Sequence, residues 1–193
     1  MHPTVGPEGP AAELRRQWPH LLLVGPPGVG KSTVARAISN ELRWHTLIVN
    51  GSLHASMNAM RGDISEFVTE TPMFFYEPRH RCVVFDEADQ MKPAVQVATH
   101  GWLEDYDWGC TFVFTTNHPD KIGAPIKSRC LRLDFDYETE PARSEMYEGF
   151  RKRLRQILTA EQVECSDRII EDRLRRYWPD FRQVLNQLQM KVT

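Results

Sequence analysis

The sequence lacks the features that mark secreted, zinc-stabilised or membrane-spanning proteins. Its 193 residues include four cysteines, and none of them lies in a Cys-x-x-Cys pair. This argues against a structural zinc site. No apolar run approaches the ~20 residues that a membrane span needs, and no secretory signal is visible. We therefore expect a protein of the reducing cytoplasm that makes no membrane contact.

The chain also lacks a large net charge of either sign. The 24 basic and 26 acidic residues give a net charge of −2, which argues against a polycation that coats nucleic acid without specificity. The balance is uneven, however, because residues 141–193 hold 11 basic against 8 acidic residues. The C-terminal part is therefore the basic part of the chain.

Apolar runs of strand length alternate with segments of helical periodicity in the first two thirds of the chain. An uninterrupted apolar run is typical of a strand buried on both faces. The alternation predicts an α/β fold, with a mostly parallel sheet covered by helices. Strands are predicted at 20–25, 46–51, 81–89, 110–117 and 130–135. Helices are predicted near 14–17, at 31–43, at 57–69 and from Pro93 onward.

After about residue 137 the pattern changes to helices alone, which are predicted at 140–158, 167–177 and 180–191. Residues 1–13 are rich in proline and glycine, which predicts that the N-terminal segment 1–17 is flexible. We therefore expect three parts: the flexible segment 1–17, an α/β domain over 18–138 and a helical domain over 139–193.

The stretch "GPPGVGKST" at 25–33 matches the phosphate-loop pattern G-x-x-x-x-G-K-[ST]. It follows a predicted strand and opens a predicted helix, which is the context that the motif requires. Small residues let backbone N–H groups surround an anion, and the helix N-terminus adds a positive dipole end. Lys31 is expected to bind the β- and γ-phosphates and Ser32 to bind Mg²⁺. A chance glycine-rich turn is the alternative, which the flanking elements disfavour.

We expect a nucleotide to contact the whole of this loop. The nucleotide-binding residues predicted from the motif are Gly25, Pro26, Pro27, Gly28, Val29, Gly30, Lys31, Ser32 and Thr33.

Carboxylates follow the predicted third strand, where "VVFDEAD" ends in Asp86 and Glu87. Ligands of open α/β sheets bind beyond the carboxyl ends of the strands. Asp86 is expected to hold Mg²⁺, and Glu87 to orient and deprotonate a water molecule. Taken alone, such a pair is more often a plain helix N-terminus, but the phosphate loop upstream favours the catalytic interpretation. Asp89 is expected to start a helix.

The fourth predicted strand also ends in polar residues, Thr115, Thr116 and Asn117. A neutral amide there could position the attacking water beside a γ-phosphate. It could equally cap the turn before Pro119. The spacing alone does not decide between the two interpretations.

Four stretches occur in the order found in AAA+ ATPases: "WPHLLLVGPPGVGKST", "VVFDEADQM", "FTTNHPDKIGAPIKSRC" and "WPDFRQVLNQL". The Ser-Arg-Cys triplet at 128–130 narrows the resemblance to sliding-clamp loaders. The chain resembles the ATPase subunit of a clamp loader, most closely the small subunit of T4-like phage loaders and more distantly replication factor C. The sequence ends at Thr193, before the collar domain of that family.

The resemblance implies a RecA-like AAA+ nucleotide-binding core followed by a small helical lid. It implies that ATP and Mg²⁺ are bound by Lys31, Ser32 and Asp86, and that Glu87 is the catalytic base. By the same resemblance, Asn117 is the sensor on the fourth strand and Arg182 the sensor on the lid. Gln96 matches a glutamine that couples a DNA-facing helix to the catalytic glutamate, and Arg61 matches a position near the DNA backbone.

The loop "GAPIKSRC" at 123–130 is predicted to expose Lys127, Ser128 and Arg129. Exposed charges are usually solvated and idle, but Arg129 matches the arginine finger of Ser-Arg-Cys. The resemblance implies that it reaches, in trans, the γ-phosphate bound by a neighbouring subunit. Two departures are visible, since His100 and Gly101 stand where the family usually carries arginines. Contact between this domain and DNA is therefore expected to be weak.

The implied function is ATP hydrolysis that opens or closes a sliding clamp on primer–template DNA. The implied partners are further loader subunits in a ring, expected to be pentameric, together with the clamp and DNA contacted through its backbone. If the protein is phage-encoded, the compartment is the host cytoplasm. The alternatives are another DNA-dependent AAA+ ATPase, such as a helicase loader or a branch-migration motor, and a nucleotide-binding scaffold that does not hydrolyse ATP.

Overall fold

The computed structural model describes residues 18–52, 57–69, 80–106, 109–135 and 139–192. The predicted helix near 14–17 and the predicted flexible segment 1–17 lie outside the described residues. Within the described ranges, no helix is long and apolar enough to cross a membrane.

The chain divides into two compact units. The sheet unit comprises the described residues up to Leu23 together with Ala35–Leu133. The lid unit comprises Val24–Val34 together with the described residues from Asp134 onward. The phosphate loop therefore groups with the C-terminal helices, and the domain limits 18–138 and 139–193 stay a prediction.

Five strands form one sheet in the order β2-β3-β4-β1-β5. They are β1 His20–Val24, β2 His45–Asn50, β3 Arg81–Asp86, β4 Cys110–Thr116 and β5 Cys130–Asp134. Strands β2, β3 and β4 are paired in parallel, which confirms the predicted fold class. The prediction of strand as far as residue 89 was wrong, because Glu87 has a φ of 56°, and this left-handed backbone cannot continue a strand.

Seven α-helices lie in the described residues. Four belong to the first part of the chain: α1 Lys31–Glu41, α2 Met57–Thr69, α3 Pro93–Asp105 and α4 Ala124–Arg129. Three follow: α5 Ala142–Ala160, α6 Asp167–Tyr177 and α7 Phe181–Val192. Helix α3 begins at Pro93 as predicted. The loop predicted at 123–130 is instead mostly the short helix α4, because Pro125 lies in its first turn, where a missing N–H costs nothing.

The core of the sheet unit is formed by β3 and β4, whose apolar residues are buried on both faces as predicted. The Phe85 ring stacks on the Phe114 ring, with 5.1 Å between ring centroids, and also on Trp102. Cys82 of β3 is buried as well, beside Ser39 of α1, and burial raises the pKa of its thiol to about 11. The buried strands β3 and β4 place the polar residues that follow them.

The lid unit has its own apolar core, which α5, α6 and α7 supply. Its buried members are Leu154, Ile170, Leu174, Val184 and Leu188. The ring of Phe150 packs against Phe181, the first residue of α7, with 4.4 Å between centroids. This packing fixes the start of the helix that carries Arg182.

Candidate functional site

The phosphate loop lies in the lid unit and connects β1 to α1. Lys31 is buried, and its ammonium Nζ donates hydrogen bonds to the carbonyl oxygens of Gly25 at 2.8 Å and Pro26 at 2.7 Å. The loop therefore holds a buried cation at the N-terminus of α1, where the helix dipole is also positive. Both features favour an anionic ligand.

Two glycines give the loop a backbone that other residues rarely adopt. Gly28 has a φ of 77° and Gly30 a φ of 96°. A Cβ on Gly30 would meet nothing within 4 Å, so only its conformation calls for glycine. A Cβ on Gly28 would lie 1.8 Å from Oδ1 of Asp180, so this position also lacks room. Left-handed turns of this kind build anion-binding concavities, so the residues present fit the phosphates of a nucleotide.

Asp180 connects this loop to the lid helix α7. Its Oδ1 accepts a hydrogen bond from the backbone N–H of Gln183 at 3.0 Å, which caps α7, and the same atom lies against Gly28. Arg182 is exposed and lines a groove of about 540 Å³ together with Leu158. The sensor role of Arg182 stays a prediction.

In the sheet unit, one threonine joins the two predicted acids. The hydroxyl of Thr115 donates to Oδ1 of Asp86 at 2.6 Å, and it accepts the backbone N–H of Glu87 at 3.1 Å. The side chain of Thr115 is 2% exposed, and both bonds are partly buried. The side chain of Glu87 is exposed, and its left-handed backbone costs free energy of the kind that functional sites commonly store.

A second carboxylate, Asp89, joins the ends of the same two strands. It lies in a 3₁₀ turn at Ala88–Gln90, where its Oδ1 accepts the Thr116 hydroxyl at 3.0 Å and the backbone N–H of Asn117 at 3.3 Å. Burial is the largest single influence on its pKa and raises it. The hydrogen bonds together outweigh burial and lower the pKa below its ordinary value. Asp89 is therefore a strand-joining residue, and the view of it as a simple helix start was incomplete.

Arg129, at the end of α4, is held by its own subunit. Its Nη1 donates to the carbonyl oxygen of Pro125 at 3.4 Å and to Oγ of Ser128 at 3.5 Å, and its Nη2 donates to Oε1 of Glu104 near the end of α3. His100 lies 3.7 Å from the same carboxylate oxygen. Glu104 has no distinguishing pattern in the sequence, where it looks like an ordinary charged residue on a helix surface.

Gln96 links α3 to the other end of α4. Its Oε1 accepts the backbone N–H of Gly123 at 2.8 Å, and its Nε2 donates to the carbonyl oxygen of Lys121 at 3.0 Å. The contact with the catalytic glutamate that the resemblance implies stays a prediction.

The structure thus assembles the predicted residues in groups. In the sheet unit, Thr115 joins Asp86 to the backbone of Glu87, and Asp89 separately accepts the backbone N–H of Asn117. Arg61 is exposed on α2, and its contact with DNA stays a prediction. Sequence reasoning missed the roles of Thr115, Asp89, Glu104 and Asp180. Only Thr115 had a visible signal, a polar residue ending an apolar strand.

The phosphate loop with its buried Lys31 and the strand β3 that ends in carboxylates are typical of one class of protein. Residues 21–140 match the family model described as "ATPase family associated with various cellular activities (AAA)". The chain belongs to this family, and the predicted AAA+ fold is confirmed.

Among its relatives are replication proteins. A "Sliding-clamp-loader large subunit" of Escherichia phage RB69 is 31% identical over 173 residues, covering 88% of this chain and 53% of that protein. A "Replication factor C small subunit" of Aeropyrum pernix is 33% identical over 181 residues, covering 91% of this chain and 53% of that protein. The chain therefore spans about half the length of these relatives. The resemblance to clamp-loader subunits is confirmed, and the phage relative is named a large rather than a small subunit.

Solved structures agree on the fold. The Thermotoga maritima RuvB Holliday junction branch migration motor superposes with a TM-score of 0.62 at 22% identity, covering 93% of this chain and 64% of that chain. At this identity the likeness supports the fold alone.

Proposed function

We propose that the chain is the ATP-hydrolysing part of a sliding-clamp-loader subunit, which opens or closes a clamp on primer–template DNA. The observation that carries the proposal is the Thr115 hydroxyl, which joins Asp86 to the backbone of Glu87 in a chain that also has a phosphate loop. A nucleotide-binding scaffold without hydrolysis does not need acids held in this way. Similarity to named clamp-loader subunits supplies the biological context.

The proposed chemistry distributes roles among the residues present. Lys31 binds the β- and γ-phosphates, and Ser32 and Asp86 hold Mg²⁺, which neutralises charge on the phosphates when it is bound. Glu87 orients the attacking water and accepts its proton. Asn117 contacts the γ-phosphate and the water. The location of a carboxylate beyond a buried strand supports this, since ligands of α/β sheets bind at that edge.

Two arginines complete the proposed machinery. Arg182 senses the γ-phosphate in its own subunit. Arg129 lies at an exposed helix end and serves the nucleotide of a neighbour. An arginine supplied in trans is worth ~10³–10⁵ in turnover in related phosphoryl-transfer systems. A single subunit is therefore expected to be a poor ATPase, and activity is expected only in a ring, for which we propose five subunits.

DNA is proposed to contact the ring through its backbone, with Arg61 on α2 as one candidate. Asp63, two positions further along α2, is exposed as well, and its negative charge opposes the approach of DNA phosphates. The contribution of this domain to DNA affinity is therefore expected to be small.

The proposal is tested by ATP turnover of the full-length protein with its partner subunits. The measurement compares the ring alone, with clamp, with primed DNA and with both. Stimulation by clamp and primed DNA together is the expected result. If neither clamp nor primed DNA changes ATP turnover, the proposed clamp-loader function is contradicted. Stimulation by branched DNA instead would favour a branch-migration motor. Nucleotide binding without turnover in any mixture would favour the scaffold.

A further inference from the structure

Glu104 holds the guanidinium of Arg129 in a defined place within its own subunit. Arg129 lies at the last position of α4, and Glu104 lies near the end of α3. The contact is a charge-assisted hydrogen bond from Nη2 to Oε1, and Nη1 is held separately by Pro125 and Ser128. The side chain of Arg129 is therefore anchored at both terminal nitrogens.

The ion pair between Arg129 and Glu104 is too exposed to contribute much to the stability of the fold. The side chain of Arg129 is 34% exposed and that of Glu104 is 53% exposed. Pairs with such exposure change an equilibrium by about fivefold or less, because water screens them. An effect of that size matters little to folding. It is large enough to decide which rotamer of a long side chain is populated.

Helix α3 holds α4 at both ends. At its start, Gln96 accepts the backbone N–H of Gly123, and at its end Glu104 binds Arg129. The orientation of the arginine is thus set by a neighbouring helix as well as by α4 itself. Glu104 is therefore placed to act on the reaction through Arg129 alone.

We infer that Glu104 is a positioning residue for Arg129, an inference that rests on the proposed role of Arg129 in trans. The carboxylate orders the arginine before a neighbour's nucleotide arrives, so less side-chain freedom is lost when the γ-phosphate is bound. A guanidinium has more N–H donors than the described contacts use, so an anchored arginine keeps donors for a phosphate. The half-exposed pair is also weak enough to adjust when the phosphate binds.

A mixing assay isolates this effect. Subunits with Lys31→Ala lack the phosphate-binding cation but keep Arg129, and subunits with Arg129→Ala keep the nucleotide site. In rings that mix the two, turnover arises where an intact Arg129 faces an intact nucleotide site. Glu104→Ala, Glu104→Gln or His100→Ala is then added to the Lys31→Ala subunit alone, so the tested side chain is on the arginine donor. Circular dichroism and size-exclusion chromatography check folding and assembly.

Glu104→Ala is expected to lower kcat in the mixed rings by about two- to fivefold, in line with the population that an exposed pair controls. KM for ATP should not change, because the nucleotide site lies on the other subunit. Glu104→Gln should recover part of the loss, since its amide oxygen still accepts from Nη2. His100→Ala, which removes the other neighbour of this carboxylate, should have no effect.

Unchanged or increased kcat with Glu104→Ala would overturn the inference, and an increase would mean that Glu104 restrains the arginine instead. If the mixture without Glu104 changes has no turnover while the wild-type ring is active, the proposed role of Arg129 itself fails. The two failures are therefore distinguishable.

Discussion

The hydroxyl of Thr115 offers a sharp test of the catalytic arrangement. Thr115→Val replaces this hydroxyl by a methyl group and keeps the shape of the side chain. The substitution takes a donor from Asp86 and an acceptor from the backbone N–H of Glu87. The side chain of Thr115 is 2% exposed and Asp86 is half-buried, so water can replace these bonds only in part. The two acids at the end of β3 then lose their common anchor.

The expected cost follows from the two bonds. A hydrogen bond to a charged group is worth about 1.5–3 kcal/mol, and an unsatisfied buried donor costs about 1–3 kcal/mol. Asp86 is only half-buried and recovers part of its loss from solvent, so the expected decrease in the free energy of unfolding is about 2–3 kcal/mol. Turnover of the assembled ATPase should fall by at least about tenfold, because small displacements of catalytic groups are costly.

Thr99→Val is the matched control. Thr99 is equally buried, but its hydroxyl donates to the Val95 carbonyl of its own helix at 2.8 Å, so its removal strands no charged partner. Urea unfolding and ATP turnover of both variants provide the measurement. If Thr115→Val is no more destabilising than Thr99→Val and turns ATP over normally, the reasoning about the acid pair is refuted.

Three further substitutions follow from the same contacts. Gly28→Ala should weaken nucleotide binding at least about tenfold in a fluorescent-nucleotide titration, because the new Cβ meets Asp180 and the backbone is left-handed. Gly101→Ala should raise the free energy of unfolding by about 0.5–1 kcal/mol, because a Cβ there meets nothing within 4 Å inside α3. Asp89→Asn should destabilise the protein at pH 7. Because folding lowers the pKa of Asp89, the wild-type advantage should shrink as pH falls below about 4.

Each of these has an outcome that contradicts it. Normal nucleotide affinity in Gly28→Ala would mean that the phosphate loop can move away from Asp180. A destabilised Gly101→Ala would show that the glycine has a packing role after all. If Asp89→Asn lowers the free energy of unfolding equally at pH 3 and pH 7, the charge of the carboxylate does not contribute to the way Asp89 joins the strands.

Much of the fold could be predicted because strands β1, β3 and β4 are buried on both faces. The apolar runs that became β1 and β4 are typical of strands buried on both faces, and Pro93 marks the first residue of α3. One error fell where a single backbone angle decides the structure. At Glu87 a left-handed φ ends β3 early, and nothing in the residue type announces it.

The candidate site was predictable where its chemistry is local. The phosphate loop is contiguous, so Lys31 and its glycines are recognisable together. Glu104 and Asp180 were missed because each acts on a residue that is distant in sequence, Arg129 and Gly28 respectively. Tertiary packing brings such partners together, and a charged residue on a helix surface has no distinguishing pattern.

ATP turnover by mixed rings tests the central claim most directly. Lys31→Ala subunits and Arg129→Ala subunits are measured separately and then together, with clamp and primed DNA present. The account predicts that each alone is nearly inactive and that the mixture regains a substantial part of wild-type turnover, because one subunit supplies the arginine and the other the nucleotide site. A mixture that stays as inactive as its components, while wild-type rings of the same size hydrolyse ATP, would contradict the account.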